Sequence, residues 1–336
     1  MTKPLLSIIV PVHNAREYIA ECLESVLQLG DKDYEVIIID DGSTDGSGEI
    51  VEEFLVDHRF HLYKKENSGP ADSRNIGLDK STGKYITFLD SDDHYLKPDS
   101  LFEIIRRMEQ KNCQMACFGF TKDNGKNSRE AKYTCAKASD VAVRFLSDEV
   151  VTKNGVCFPN GIGITLWNKI FERRLFEGNR FPEGVFLMDD FKVCFEAVAK
   201  AERVLLCSEI VYFYRKHIGS ITLSKFSEKD YELATVPRAE MPNVEERYGK
   251  KAELVRPGYA VIYLAFINRL YNSGNRDLKY EEELKEYIRK NIKILIKTKE
   301  ISLFHKMMLL GYGLLPGLYR LVMQKAFIWV MKIRYR

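Results

Sequence analysis

The sequence predicts an α/β fold in which helices cover both faces of a mostly parallel, doubly wound sheet. Apolar, β-branched runs of strand length, such as residues 5–12 and 35–39, alternate with segments of helical periodicity. From about residue 227 onward the periodicity is helical only. We therefore predict an α/β domain over residues 1–225, followed by a helical C-terminal extension over residues 226–336.

The first half of the α/β domain, residues 1–110, shows the alternation clearly. The first strand is expected to end near Pro11, and Asn14 is suited to cap a helix that stops at Gly30. Later strands are predicted at 35–39, 60–63 and 84–89, and later helices at 50–55, 71–78 and after Pro98. This order places the carboxyl ends of the strands at one edge of the sheet, where open α/β sheets bind ligands.

The second half, residues 111–225, is less regular. We expect a strand at 113–120, a hairpin or loop at 121–135, helices at 141–146 and 189–200, and a strand pair or one bent strand at 204–214. Residues 150–187 give no firm secondary-structure pattern. The architecture between the named elements is therefore left open.

Composition and charge exclude several classes of protein. With 45% hydrophobic and 29% charged residues, the chain of 336 residues has the composition of a globular protein with a sizeable core. A net charge of +3 does not indicate a nucleic-acid-binding protein. The seven cysteines include no Cys-x-x-Cys pair or zinc-binding spacing, which favours a reduced, cytosolic compartment. The short first apolar run contains Pro11 and lacks a cleavage site, so we expect no signal peptide.

Three carboxylates lie within four residues where the predicted strand at 84–89 ends. Asp90, Asp92 and Asp93 would repel one another and raise each other's pKa unless a cation joined them. Oxygen ligands without Cys or His beside them suit Mg²⁺ or Mn²⁺ better than zinc. The alternative is a solvated acidic turn that caps the next helix.

Four stretches of the chain, taken in order, carry a resemblance to a known family. They read VPVHN at 10–14, DDGSTD at 40–45, DSDD at 90–93 and MDD at 188–190, with further matches in SRNIG at 73–77, WNK at 167–169 and YRKHIGS at 214–220. Together they resemble the family 2 glycosyltransferases with the GT-A fold, over about residues 5–225. The resemblance implies a nucleotide-binding half (1–110) and an acceptor-binding half (111–225).

The resemblance also implies the reaction. A family 2 enzyme of the bacterial cell-surface type moves a sugar from a nucleotide sugar, with UDP-sugar as the best donor, to a sugar hydroxyl with inversion. The acceptor would be a growing, lipid-linked polysaccharide at the cytoplasmic face of the membrane. The expected cofactor is Mn²⁺ or Mg²⁺, because a divalent ion can neutralise the departing diphosphate as a Lewis acid.

Donor-binding roles follow from the matching residues. The pocket for the nucleotide base corresponds to Pro11, Val12, Asn14 and Asp41. Asp41 could equally be a turn-forming aspartate ahead of Gly42. Arg74 corresponds to an arginine placed near the diphosphate, with a solvated helix face as the alternative.

The metal site is likewise implied by the resemblance. Asp90 and Asp92 correspond to an Asp-x-Asp motif, with Asp90 near the ribose and the metal and Asp92 as a direct ligand. His217 corresponds to a histidine that closes over the metal or the diphosphate, and its alternative is an exposed loop histidine. Asp93 is expected to cap the following helix or to support the site.

An inverting transfer needs a base aimed at the acceptor hydroxyl. The family's Glu-Asp pair reads Asp189-Asp190 here, and the matching second position makes Asp190 the predicted base. Asp189 is one methylene shorter than the usual glutamate and is expected to cap the helix or to face the acceptor. Trp167 is expected to stack on an acceptor sugar ring or to be a core tryptophan.

The C-terminal extension has an uneven charge. No acidic residue follows Glu300, and the basic residues there are Lys306, Arg320, Lys325, Lys332, Arg334 and Arg336. The apolar runs at 307–319 and 327–331 are too short to span a bilayer but contain aromatic residues. We therefore favour peripheral contact with the membrane. The alternative is a helix pair packed on the catalytic domain or across a homodimer.

Other functions leave different sequence signals. A nucleotidyltransferase would need a phosphate loop rich in glycine and lysine after the first strand, and residues 12–16 are not one. The sequence does not indicate a dehydrogenase, because no Gly-x-Gly-x-x-Gly motif follows that strand. A sugar-nucleotide-binding protein without catalysis remains an alternative. Hydrolysis of UDP-sugar would distinguish an active glycosyltransferase from such a binding protein.

Overall fold

The structure is a computed structural model of the chain. It describes residues 3–122, 131–142, 150–151, 156–158, 165–185, 187–215, 226–299 and 301–323. The described residues form two compact units: those up to residue 215 belong to the first, and those from residue 226 onward belong to the second. The domain boundary predicted after residue 225 adjoins residues outside the described ranges, and it stays a prediction.

The first unit is built around one sheet. Its strands are β1 (Leu6–Val12), β2 (Tyr34–Asp41), β3 (Phe60–Lys65), β4 (Tyr85–Phe88), β5 (His94–Tyr95), β6 (Met115–Thr121), β7 (Tyr133–Lys137), β8 (Val150–Val151), β9 (Val156–Phe158), β10 (Lys169–Glu172) and β11 (Arg203–Phe213). Its helices are α1 (Ile19–Leu27), α2 (Ser47–Phe54), α3 (Pro70–Lys80), α4 (Ser100–Gln110), α5 (Ala138–Ala142) and α6 (Asp189–Lys200). A 3₁₀ turn covers Arg173–Phe176.

The sheet is mostly parallel, as the sequence predicts. Its strand order is β3-β2-β1-β4-β10-β6-β11-β5. β1 pairs in parallel with β2 and β4, β2 with β3, and β6 with β11. β10 runs antiparallel between β4 and β6, and β5 and β7 are antiparallel to β11. β9 pairs antiparallel with both β6 and β8. The predicted α/β class is confirmed, and β10 comes from the segment without a firm pattern.

Helices pack on both faces of the sheet because β1 is apolar on both sides. Ile8 and Val10 of β1 belong to one core together with Cys22 of α1. On the opposite face, Gly77 of α3 lies so close to Ile9 that an added Cβ would be 2.4 Å from its side chain. This close approach requires glycine and holds α3 against the sheet.

One predicted helix cap is wrong. α1 begins at Ile19, and Asn14 instead adopts a φ of 50° in the loop after β1. The backbone N–H of Asn14 donates to Ser43 Oγ (3.1 Å), and the N–H of Thr44 donates to Asn14 Oδ1 (2.9 Å). Asn14 therefore joins the loops after β1 and β2, because the turn at 43–44 offers its amide partners outside the helix.

The second unit is helical, as predicted. Its helices are α7 (Glu232–Tyr248), α8 (Arg256–Asn272), α9 (Leu278–Lys297) and α10 (Leu303–Leu314), and residues 316–323 are helical again. Asp277 caps α9 by accepting the backbone N–H groups of Lys279 and Tyr280. Leu309 and Tyr312 of α10 are fully buried, so α10 is part of this unit's core. No helix among the described residues has the length and apolar character needed to cross a membrane.

Candidate active site

The carboxyl ends of β1, β2 and β4 lie side by side, which brings the predicted nucleotide-binding residues to one edge of the sheet. Pro11 and Val12 of β1 pair with Ile39 and Asp40 of β2. Asn14 follows in the loop already described. The structure therefore places Pro11, Val12, Asn14 and Asp41 near one another, as the order of the strands predicts.

Asp41 closes β2 and organises the loop that leads into α3. Its buried carboxylate accepts the backbone N–H groups of Ser68 at 2.8 Å and of Gly69 at 2.9 Å. Lys65, the last residue of β3, also donates to it. Both carboxylate oxygens thus have partners within the chain, and Asp41 fixes the start of the helix that carries Arg74. This role differs from the predicted alternative of a turn-forming aspartate ahead of Gly42, because it is Asp40 that accepts the backbone N–H of Ser43 in that turn.

Arg74 is the centre of the site. Its Nη1 donates to Asp189 Oδ2 at 2.6 Å, and its Nη2 donates to Asp90 Oδ1 at 3.3 Å. The same Nη1 lies 3.5 Å from Asp190 Oδ1. Because Arg74 is only 8% exposed, the alternative of a solvated helix face is wrong. It joins the end of β4 to the start of α6.

Burial and charge act in opposite directions on Arg74. Burial would lower the pKa of the guanidinium, but the charges of Asp189, Asp190 and Asp90 raise this pKa above its usual range. Arg74 is therefore a permanent cation among three carboxylates. A buried guanidinium is stable only when it is paired in this way.

Asp93 is the buried carboxylate of the acidic turn at residues 90–93. It is 1% exposed, and it accepts hydrogen bonds from the Tyr212 hydroxyl and the Arg215 backbone N–H, each at 2.7 Å. Burial, reinforced by the charges of Asp90 and Asp92, raises the pKa of Asp93 to about 8. Its predicted capping role is wrong because β5 follows it and α4 begins only at residue 100. The supporting role agrees with its contacts.

Asp189 and Asp190 begin α6 but differ in their surroundings. Asp189 is 5% exposed and bound to Arg74, and Met188 rather than Asp189 occupies the N-cap position of α6. Its predicted capping is therefore wrong: the shorter side chain reaches Arg74 instead. The side chain of Asp190 is 22% exposed.

The environment of Asp190 raises its proton affinity. Its Oδ1 is buried and accepts no hydrogen bond in the part of the chain that the structure describes. Burial, together with the charge of Asp189, raises the pKa of Asp190 well above the ordinary aspartate value, whereas Arg74 lowers it. A carboxylate with a raised pKa is suited to accept a proton.

The carboxylates at the end of β4 suit a divalent ion that would also bind the phosphates of a substrate. Among the described residues, no three His, Cys, Asp or Glu side chains form a metal cage. Mg²⁺ in nucleotide sites is commonly held by one or two carboxylates and by substrate phosphates. Asp92 and the 27%-exposed side chain of Asp90 can supply such carboxylates, whereas both oxygens of Asp93 are occupied.

Two predicted site residues have a different outcome. Trp167 is 6% exposed, and its ring stacks on Tyr212 at 4.6 Å and meets Phe120 edge-on. The structure favours the core tryptophan over the sugar-stacking role, because the indole is enclosed by other aromatic rings. His217 lies outside the described residues, so its role stays a prediction.

Sequence reasoning missed two residues that hold the site together. Lys65 binds Asp41 and lies 3.2 Å from Asp72 Oδ2. Arg215 donates through Nε to the Asp92 carbonyl at 2.8 Å. Lys65 could have been found because it ends the strand beside β2, and Arg215 because it lies inside the matching stretch at 214–220.

The fold and this cluster of carboxylates around an arginine define an α/β protein with an acidic candidate site at the carboxyl ends of its strands. The chain belongs to glycosyl transferase family 2, whose family model matches residues 7–179. This match covers more than half of the chain.

Several bacterial proteins are similar to the chain in sequence. Glycosyltransferase GlyA of Streptococcus pneumoniae serotype 4 is 30% identical over 65% of this chain and 31% of its own length. Glycosyltransferase GlyG of the same organism is 29% identical over 66% of this chain and 74% of its length. The uncharacterised glycosyltransferase EpsJ of Bacillus subtilis is 30% identical over 65% of this chain. The aligned part thus spans only 31% of GlyA and 63% of EpsJ.

Solved structures support the fold. The crystal structure of Staphylococcus aureus TarS residues 1–349 superposes with a TM-score of 0.63 at 20% identity, covering 98% of this chain and 92% of TarS 1–349. A second TarS structure, in complex with UDP-GlcNAc, gives a TM-score of 0.62. At this identity the likeness establishes the GT-A fold with a helical C-terminal region.

Proposed function

We propose that this enzyme transfers a sugar from a UDP-sugar to a sugar hydroxyl with inversion at the anomeric carbon. The observation that carries the proposal is Arg74, which joins Asp90 at the predicted donor site to Asp190, the predicted base. Membership of family 2 and the UDP-GlcNAc complex of the TarS neighbour support the donor class. Hydrolysis of UDP-sugar without acceptor tests it against a protein that only binds the nucleotide sugar.

The proposed reaction uses the site residues in distinct roles. The acceptor oxygen forms a bond to the anomeric carbon while the bond from that carbon to the diphosphate breaks. Asp190 takes the hydroxyl proton, which a base with a raised pKa can do near neutral pH. Arg74 holds Asp189 and Asp190 in place. The nucleotide base would lie at the edge formed by Pro11, Val12, Asn14 and Asp41.

A divalent ion is part of this proposal. Asp92 and Asp90 would hold Mn²⁺ or Mg²⁺, which neutralises charge on the departing diphosphate. His217 is a candidate further ligand from the sequence. The raised pKa of Asp90, which burial causes despite the nearby Arg74, is consistent with a site that gains stability from an added cation.

The metal proposal predicts the effect of chelation on donor binding. UDP affinity should fall sharply when Mg²⁺ and Mn²⁺ are removed, because the negative charge of the diphosphate would then meet that of Asp90 and Asp92 without a compensating cation. Asp92→Ala should reproduce most of that loss in the presence of metal. Asp79→Ala, which removes a surface carboxylate paired with Arg180, is the matched control. Calorimetry that finds equal UDP affinity with and without metal would contradict the metal proposal.

We further propose that the acceptor is lipid-linked and that the C-terminal region contacts the cytoplasmic face of the membrane. The support is an exposed apolar surface on and after α10, with no acidic residue after Glu300. Its largest exposed members are Leu303, Phe304, Met307, Leu314, Leu315, Leu318, Leu321 and Val322. A membrane interface would cover such a surface. A homodimer interface is the alternative.

This membrane contact predicts binding to anionic vesicles that weakens as salt screens the basic residues. Deleting α10 would open the core around Leu309 and Tyr312, so exposed positions are the better target. Serine at Leu303, Phe304 and Met307 should reduce co-sedimentation with vesicles and leave the melting temperature unchanged. Serine at Leu278, which is 67% exposed on α9, is the control. Unchanged vesicle binding by the triple variant would contradict the proposed contact.

A further inference from the structure

A cavity of about 360 Å³ opens within the helical second unit. Its walls are the end of α8, the first turns of α9 and the helical segment at 316–323, and the residues that line it include Arg276, Lys285 and Arg320. None of these residues has a role in the proposed transfer reaction. The cavity therefore needs its own explanation.

The cavity contains more cationic groups than it neutralises. Arg276 is paired with Glu281 through two hydrogen bonds of 3.0 and 2.8 Å, and the Glu281 side chain is 4% exposed. Burial would raise the pKa of Glu281, but hydrogen bonds from Arg276 and Tyr271 hold it below the ordinary value. Arg276 and Glu281 thus form a closed ion pair, and Lys285 is paired with the exposed Glu282 at 2.9 Å. Arg320 is the further basic residue on the wall.

Arg320, a partly buried residue of the wall, has one N–H group without a partner. Its Nε is buried and makes no hydrogen bond with any residue that the structure describes. Its guanidinium carbon lies 5.5 Å from the centre of the Tyr271 ring, which fixes the side chain beside the cavity. An unsatisfied buried N–H is costly, and a ligand with acceptor oxygens would remove that cost.

The segment that carries Arg320 is held in place independently of any ligand. The Tyr319 hydroxyl donates to Asn268 Oδ1 of α8 at 2.9 Å, and its ring packs on that of Tyr312 at 5.4 Å. The Tyr312 hydroxyl in turn donates to the Glu281 carbonyl at 3.1 Å. Arg320 is therefore pre-positioned, which lowers the entropy cost of binding an anion.

The rest of the wall is apolar and continues into exposed leucines. Pro316, Gly317 and Leu321 line the cavity, and Leu315 and Leu318 beside them are 60% and 57% exposed. A planar guanidinium can donate two parallel hydrogen bonds to two oxygens of a phosphate. The surroundings therefore suit a phosphate that is attached to a hydrocarbon group.

We propose that this cavity binds the headgroup phosphate of an anionic phospholipid, with Arg320 as the main ligand and Lys285 as a second cation. The proposal rests on the membrane contact proposed above and is independent of the donor site. Binding in this cavity would make the membrane contact selective for a phosphate over other anions of the same charge.

Vesicle binding by the full-length protein tests this selectivity. Vesicles of phosphatidylcholine would carry either phosphatidic acid or a fatty acid, matched in surface charge. A cavity selective for phosphate predicts roughly tenfold tighter binding to the phosphatidic acid vesicles, since charge-assisted hydrogen bonds supply the difference. Charge attraction by the basic tail alone predicts equal binding, and that result would overturn the proposal.

Matched variants locate the selectivity. Arg320→Gln should abolish the preference for phosphate and retain charge-dependent binding. Lys285→Gln should reduce the preference for phosphate. Lys293→Gln removes the same charge from an exposed position of α9 and should leave the preference intact. Arg320→Lys should restore part of it, because the charge returns without the planar fork.

Two further measurements keep the test decisive. An added Cβ at Gly317 meets no atom within 4 Å, so Gly317→Asp should fold and bring a repelling charge to the cavity wall. Retained preference in this variant would count against the cavity. If inorganic phosphate raises the melting temperature of the wild type but no vesicle binds, a free anion is the ligand and the lipid proposal is wrong. UDP affinity, measured alongside, should be unchanged in every variant.

Discussion

Replacing Asp190 by asparagine is expected to lower the rate of sugar transfer about 10²- to 10⁴-fold, the usual cost of removing a general base. The acceptor hydroxyl is a poor nucleophile at neutral pH, so its proton must leave as the new bond forms. Asparagine keeps the size of the side chain, but its amide cannot take that proton. Affinity for UDP should be nearly unchanged, because the proposed donor contacts lie elsewhere.

Asp189→Asn is the matched comparison for this variant. Asp189 is bound to Arg74 at 2.6 Å, and an asparagine oxygen can still accept that hydrogen bond. Its effect on transfer should therefore be clearly smaller. Single-turnover transfer measured beside UDP affinity separates the two residues. Near-wild-type transfer by Asp190→Asn, or a larger loss in Asp189→Asn, would contradict the assignment of the base.

Much of the fold was predictable because the first strands are buried on both faces. The short, β-branched apolar runs of β1 and β2 are typical of strands buried on both faces, and a helix of 3.6-residue periodicity separates them. The antiparallel placement of β10 was not predictable. Its four residues lie in an irregular segment, and nothing local to them specifies which strands they pair with.

The site was predictable in its positions but less so in its contacts. The motifs mark strand ends and a helix start, and the parallel order brings those ends together. The contact of Arg74 with Asp189 joins residues 115 positions apart, and no local pattern reveals it. The burial of Trp167 was unpredictable for the same reason, since its ring packs on Tyr212 of β11, which is distant in sequence.

Replacing Arg74 by glutamine is expected to lower both stability and activity, with opposite dependence on pH. The change leaves Asp90, Asp189 and Asp190 without their shared cation, and breaking a buried pair costs roughly 3 kcal/mol or more of unfolding free energy. Removal of the positive charge also raises the pKa of Asp90 and Asp190, so more of Asp190 is protonated at neutral pH. Arg180→Gln, which breaks an exposed pair with Asp79, should cost at most about 1 kcal/mol.

The opposite pH dependences of stability and transfer activity follow from the direction in which the carboxylate pKa values shift. In the unfolded chain Asp90 and Asp190 have ordinary pKa values, whereas in the folded variant these are raised, so the folded state binds more protons. The stability of the variant should then fall as pH rises from acid toward neutral. Its transfer activity should rise over the range in which Asp190 becomes a carboxylate. Thermal melts and pH–rate profiles test both directions, and an unshifted profile with weakened UDP binding would instead make Arg74 a simple diphosphate contact.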